Sequence, residues 1–268
     1  MRKIIEFEEF RNIAKNILFD FKVYCEKNGL EYFLTYGTLL GAVRHQDMIP
    51  WDYDIDVYMP RPDFERFVDM TAVSPINSKL KVFSYKTIKN YYLVPVKICD
   101  KRTLLEITKT NTKIPFGVWI DIFPLDAIPE DINEMRELRK KYGEGQLKAM
   151  KPSVKCDTIK ENIKKALESI PILIHGQSRY LEEISRLGAS NDFYKAKIVG
   201  PLSFKDESEK EFVSSQCYEK SVLLAFGDEE YSCPCDYDTV LKSQYGDYWK
   251  LPPEEERKIP QITAYWIE

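Results

Sequence analysis

Histidine is scarce in this 268-residue chain: there are two, His45 and His175. The six cysteines are scattered at 25, 99, 156, 217, 233 and 235, and none forms a C-x-x-C pair. Together these absences argue against a tetrahedral zinc site. Cys233 and Cys235 flank Pro234, too close for an ordinary disulfide, so reduced thiols of a cytosolic protein are expected. No apolar run approaches the ~18 residues that a membrane span needs. The opening MRKIIEFEEF carries charges inside its apolar stretch, unlike a secretory leader. Nor is there an excess of positive charge: 39 Lys and Arg against 43 Asp and Glu give a net charge of −4. That excludes a generally basic nucleic-acid coat or a polybasic membrane anchor. Internal repeats and low-complexity linkers are also missing.

What is present suits a packed α+β protein: 44% apolar and 13% aromatic residues for a core, and 31% charged residues for its surface. Phe10, Ile13, Ala14, Ile17, Leu18, Phe21, Tyr24 and Cys25 recur at three- and four-residue steps, predicting a helix stopped by Asn28-Gly29. Residues 32–36 read as a strand broken by Gly37-Thr38, with a short helix over Leu39 to Arg44 capped by Thr38. Tyr53 to Tyr58 reads as a strand, and Pro62-Asp63 opens a helix through Met70. Further strands are expected at Leu80–Tyr85, Tyr92–Cys99, Leu104–Thr108 and Val118–Phe123. Between about 130 and 190 the apolar residues turn helix-spaced with many Lys and Glu between, which reads as a helical insertion or second lobe. Beyond Ile198 mixed structure returns, and Asp236 or Asp238 caps a helix ending near Tyr245-Gly246.

Chemistry is densest in GTLLGAVRHQDMIPWDYDID, residues 37–56. On a strand, Asp52, Asp54 and Asp56 share a face. Three like charges there are best tolerated around a cation, and hard oxygens suit Mg2+ or Mn2+. A solvated acidic loop is the plainer alternative. Asp121 sits bare in the apolar run Val118–Phe123, so it needs an Arg or Lys partner or a place in the same metal site. Gly37-Thr38 lets backbone approach a phosphate. Arg44 and His45 lie between that turn and the acids, with Arg44 a natural fork for phosphate oxygens. Tyr142, Tyr180 and Tyr194 are equally core residues or aromatic surfaces for a sugar or quaternary ammonium. His175 has no acidic or cysteine companion.

The segment TYGTLLGAVRHQDMIPWDYDIDVYMPRPDFERF, followed by GVWIDIFPLDAIP and YDTVLKSQYGDYWKLPPEEERK, resembles the LicD family of phosphocholine and phosphoalcohol transferases in the nucleotidyltransferase superfamily. The resemblance implies a nucleotidyltransferase-like mixed sheet flanked by helices. Residues 1–129 would form its core, 130–195 a helical acceptor lobe, and 196–268 a segment completing the core and donor site. It implies Asp54, Asp56 and Asp121 as catalytic and metal-binding acids with Asp52 in support. Gly37, Thr38, Arg44, His45, Lys250 and Lys258 would bind the donor phosphates. The implied reaction moves a phosphoalcohol such as phosphocholine from a CDP-linked donor to a sugar hydroxyl of teichoic acid, lipopolysaccharide or capsule, or of a lipid-linked precursor. Mg2+ or Mn2+ would assist. No nucleic acid takes part, and the implied place is the cytoplasm, with contact at the inner membrane face where the acceptor is tied to lipid. One departure stands out: a histidine expected soon after PPEEERK is replaced by Ile259-Pro260-Gln261. Two other functions fit the acids: transfer of a nucleoside monophosphate from a triphosphate to a small acceptor, and nucleotide binding without catalysis.

Overall fold

The first apolar stripe folds as predicted. In the computed structural model, which describes residues 3–106, 114–202, 209–259 and 261–267, a short β1 (Lys3–Ile4) leads into α1 (Phe7–Asn28). Gly29, at φ +59°, ends α1 in the left-handed conformation that a residue without Cβ adopts freely.

The next two elements differ from expectation. β2 covers only Phe33–Leu34, and α2 starts at Tyr36 and runs to His45. Gly37 and Thr38 therefore lie in the first helical turn, and Thr35, not Thr38, is the N-cap residue. The Thr38 hydroxyl instead accepts the Asp56 N–H at 2.8 Å, while Thr35 N–H donates to the Asp56 carbonyl at 3.2 Å. These two bonds tie the start of α2 to the start of β3 (Asp56–Pro60). β3 begins three residues later than expected because the Asp52 N–H turns back to the Ile49 carbonyl at 2.9 Å. Asp52 and Asp54 thus precede the strand, and the alternation argument does not govern them.

α3 (Arg61–Val73) carries Pro62 in its first turn. Then come β4 (Leu80–Phe83), β5 (Val96–Asp100), β6 (Thr103–Leu105) and β7 (Trp119–Ile128). The end of the strand expected at Leu104–Thr108 lies outside the described residues. Three helices follow, α4 (Ile132–Met150), α5 (Ile159–His175) and α6 (Gln177–Gly188). β8 (Ile198–Gly200), β9 (Val213–Ser214), the antiparallel pair β10 (Ser221–Phe226) and β11 (Glu229–Pro234), α7 (Tyr237–Tyr245) and β12 (Ala264–Trp266) complete the order. Asp236 caps α7 by accepting the Thr239 N–H, as the sequence suggested.

The chain is thus of the α+β class. Its main sheet runs β2-β3-β7-β5-β4, with β3 and β7 parallel and the other neighbours antiparallel. β7 is longer than predicted because its far half pairs with β8. Successive strand residues supply opposite faces. Val82 and Ile98 join the large core with α1 and α3, whereas Phe83 and Cys99 join a second cluster with Met135, Tyr142, Leu181 and Ile184 of α4 and α6. α5 is different: Ile159, Ile163, Leu167, Ile170 and Ile174 are all exposed. No helix among the described residues is long and apolar enough to cross a membrane.

Candidate active site

Parallel pairing of β3 with β7 places Asp56 beside Asp121. Registered residues on neighbouring strands point to the same face and stand about 5 Å apart, so two carboxylates meet at the strand starts. The third member of this row is Lys97, opposite Asp121 on β5. Its ammonium lies 2.7 Å from both Asp121 oxygens, and the Trp119 indole N–H donates to Asp121 Oδ2 at 2.7 Å. Asp121 thus has the basic partner that one of its two readings called for.

Asp54 and Asp52 crowd the same corner. Burial, then a hydrogen bond and charge from Asp52, push the Asp54 carboxyl up to about 7. Burial, then Asp54 and Asp121, hold Asp56 well above the ordinary carboxylate range. Tyr53, between the acids, is raised to about 12 by burial and by Asp54 and Asp52. Gly37 makes room for this packing: a Cβ there would lie 2.6 Å from Asp52 Oδ2. Thr38 is buried, and its hydroxyl positions Asp56 through the backbone.

The far side of the site is basic and aromatic. Arg44, at the C-terminal end of α2, donates through Nη1 to the Tyr248 carbonyl at 2.8 Å. The charge of Arg257 acts on the Arg44 guanidinium, and Arg257 itself stacks over the Trp51 ring at 5.5 Å. The imidazole of His45 meets Trp51 edge-on at 6.2 Å, and burial together with Arg44 lowers its pKa. Tyr245 lies between the two sides: burial, then Asp56 and Asp52, raise its pKa, and it neighbours the Arg44 guanidinium. Lys250 and Lys258 are exposed, and among the described residues neither side chain makes a hydrogen bond or ion pair.

Four residues of this constellation escaped the sequence reading: Lys97, Trp119, Tyr245 and Arg257. For Lys97 a signal existed, since it is the one charged residue in the predicted strand Tyr92–Cys99, the same anomaly that singled out Asp121. Only strand pairing reveals that the two anomalies satisfy each other.

The donor set of Asp54, Asp56 and Asp121 suits a hard divalent ion in kind, because three clustered carboxylates supply anionic oxygens. Its present arrangement is not closed around one: among the described residues, no three acidic, histidine or cysteine side chains are gathered tightly enough to hold a metal. The Lys97 ammonium stands at Asp121 as the cation balancing the cluster.

Comparison with known proteins agrees with this architecture. Residues 29–155 match the LicD/FKTN/FKRP nucleotidyltransferase domain, a span containing all four aspartates and Lys97. Along its whole length the chain is 29% identical to the lipopolysaccharide cholinephosphotransferase LicD of Haemophilus influenzae, covering 99% of each protein. An uncharacterized protein of Rickettsia prowazekii is 32% identical over 130 residues, 47% of this chain and 45% of that one. Human ribitol 5-phosphate transferase FKRP shares 59% identity over 32 residues, 12% of this chain and 6% of its own. The chain therefore carries a match to the LicD/FKTN/FKRP nucleotidyltransferase domain at residues 29–155 and is similar along its whole length to a LicD cholinephosphotransferase.

Proposed function

We propose that this protein transfers a phosphoalcohol from a CDP-linked donor to a sugar hydroxyl of a cell-surface glycan or its lipid-linked precursor. Similarity to LicD along the whole chain, with the matching domain at residues 29–155, supports a phosphoalcohol transferase acting on glycans. The observation that carries the chemistry is the side-by-side placement of Asp56 and Asp121 with Asp54 next to them. In this reading Asp54, Asp56 and Asp121 hold Mg2+ or Mn2+, with Asp52 supporting Asp54. Such an ion, when bound, neutralises charge on the diphosphate and on the departing CMP.

The chain's own residues do the rest. Arg44 and Arg257 form the cationic side that meets the donor phosphates, with His45 beside them, and Gly37 and Thr38 fix the acid-bearing backbone. Lys250 and Lys258 remain available to phosphates from the exposed C-terminal segment. The acceptor oxygen attacks the phosphorus that bears the alcohol, the bond from that phosphorus to the bridging oxygen breaks, and CMP leaves with that oxygen. Asp121 is engaged by Lys97 and Trp119, so Asp56 is the carboxylate left to take the hydroxyl proton.

Residues 1–129 serve as the core, 130–195 as the acceptor lobe, and 196–268 as the segment closing the donor side. The enzyme works in the cytoplasm at the inner membrane face, where exposed Ile163, Leu167, Ile170 and Ile174 of α5 offer an apolar contact with lipid. The test is CMP release from CDP-choline, CDP-glycerol and CDP-ribitol in the presence of Mg2+ and a glycan acceptor. Asp54→Asn and Asp56→Asn are expected to abolish release while retaining the wild-type circular dichroism spectrum. Near wild-type turnover by either variant defeats the mechanism, and pyrophosphate release from a nucleoside triphosphate would replace it with nucleotidyl transfer.

A further inference from the structure

Lys97 completes a row that begins with the acids. Strand register sets Asp56 of β3 beside Asp121 of β7, and Asp121 opposite Lys97 of β5. The ammonium lies 2.7 Å from Asp121 Oδ1 and 2.7 Å from Oδ2, so it holds the carboxylate by both oxygens. Trp119 strengthens that grip. Its indole N–H donates to Oδ2 at 2.7 Å, and the ammonium stands 4.5 Å from its ring centroid. A largely buried cation that meets a carboxylate and an aromatic ring at once is held more firmly than an exposed lysine.

Those two oxygens are also the ones that Asp121 has to offer a divalent ion. An ion on either of them meets a like charge one hydrogen bond away, in surroundings that screen it poorly. The ammonium and a metal therefore oppose each other at Asp121. Lys97 also has somewhere to go. Beside it lies a cavity of about 390 Å3, bordered by Lys97, Tyr53 and Trp119 and, on another wall, by Glu106. Glu106 is exposed and accepts the Tyr265 hydroxyl at 3.1 Å, which leaves its carboxylate room for a further donor. The lysine stem is long and flexible, so the head can leave Asp121 while the stem stays along the Trp119 ring. The indole N–H then still fixes the orientation of Asp121.

We propose that Lys97 is the resident counter-cation of the acid cluster and yields Asp121 to an entering divalent ion by swinging into the neighbouring cavity. The proposal rests on the metal-binding reading of Asp54, Asp56 and Asp121 given above. It makes Lys97 a positioning residue. In the empty protein it holds the acids together, and its release sets the affinity of the site for metal.

Calorimetric titration of the full, EDTA-treated chain with MnCl2 tests this. Lys97→Met keeps a stem beside Trp119 without the charge, and should bind Mn2+ about tenfold more tightly than the wild type. Lys97→Arg keeps the charge and grips a carboxylate with a fork, so it should bind Mn2+ about tenfold less tightly. A charge acting only from a distance would make the arginine variant equal to the wild type, and that result overturns displacement. Equal affinity in all three proteins overturns the whole inference and leaves the metal reading standing. Absence of Mn2+ binding in all three defeats both. The wild-type chain supplies a measurement that holds even if the methionine variant fails to fold. Trace acetylation with acetic anhydride, located by mass spectrometry, should label Lys97 about fivefold faster in Mg2+ than in EDTA, because the ion pair no longer shields it. Labelling of Lys97 at the same rate in both conditions overturns the swing.

Discussion

Lys97 and Asp121 face each other across β5 and β7, with the ammonium 2.7 Å from each carboxylate oxygen. Their side chains are only 14% and 11% exposed, so loss of one strands the other's charge in a poorly hydrated place. Asp56, by contrast, has no hydrogen bond or ion pair to its carboxylate among the described residues and is pressed by Asp54 and Asp121. The acids therefore differ in their effect on stability. Asp121→Asn should destabilise the metal-free protein by about 3 kcal/mol. Asp56→Asn should stabilise it by about 1 kcal/mol, since it removes a buried carboxyl whose ionisation the neighbouring acids oppose. Urea titrations in EDTA measure both. Equal destabilisation by the two variants would contradict this division of roles.

A second prediction concerns pH. Burial, then Asp52, pushes the folded-state Asp54 carboxyl up to about 7, and burial, then Asp54 and Asp121, holds Asp56 well above its ordinary range, whereas unfolded carboxylates titrate near ~4. Between those values the folded chain binds more protons than the unfolded chain, so stability falls as pH rises. The contribution from Asp54 is complete below about pH 4 and disappears as pH passes about 7. His45, whose pKa is lowered, acts in the opposite sense below its ordinary value near ~6.5, so the useful window lies above it. From pH 6.5 to 8.5 in EDTA the melting temperature should drop, and Asp54→Asn should flatten the drop. Mg2+ should raise the melting temperature more at pH 8.5 than at pH 6.5, because it then replaces no proton. A wild-type melting temperature that climbs across this window speaks against the crowded-acid picture.

Much of this site was legible in the sequence, for a physical reason. An acid inside an apolar strand is costly, so Asp121 announced itself, and the spacing of Asp54 and Asp56 marked the other half. α1 and α7 were equally readable, because an apolar stripe ending at Gly29 and a capping Asp236 are local signals. The misreadings were tertiary. Tyr36 takes φ +48° and opens a helix because the backbone of Asp56, 20 residues away, engages Thr35 and Thr38. Nothing local to residues 35–38 encodes that partner. Arg257 likewise joins Arg44 only through the return of the C-terminal segment, whereas Lys250 and Lys258 looked equally suitable on composition.

The exposed face of α5 leads to a third prediction. Ile163 and Ile170 are 59% and 50% exposed, so changing them disturbs little packing. Insertion of such a face into a lipid surface buries apolar area, and a charge placed there opposes it. The wild-type protein should sediment with vesicles containing phosphatidylglycerol, and Ile163→Glu with Ile170→Glu should remain in the supernatant with an unchanged melting temperature. Undiminished sedimentation of the double variant would exclude α5 as the membrane contact.

A fourth prediction addresses how the helical region is held to the sheet. Arg61, in the first turn of α3, donates from Nε to Asp126 of β7 at 2.6 Å and from Nη1 to Glu65 at 3.0 Å and Ser185 of α6 at 3.1 Å. Its Nη2 reaches the hydroxyl of Tyr142 on α4 at 3.5 Å. The guanidinium fork thus contacts α3, β7, α4 and α6 at once, in a place where its side chain is 3% exposed and that of Asp126 is 0%. Arg61→Met leaves Asp126 a buried charge without its cation, which should cost about 3 kcal/mol or more. Arg61→Lys should recover only part of this, because an ammonium cannot make the forked contacts. Hydrogen exchange would separate anchoring from general destabilisation. In Arg61→Met, amides of α4 and α6 should lose protection well before those of β3 and β7. If all four elements lose protection together, Arg61 supports the whole core and not the attachment of the helices.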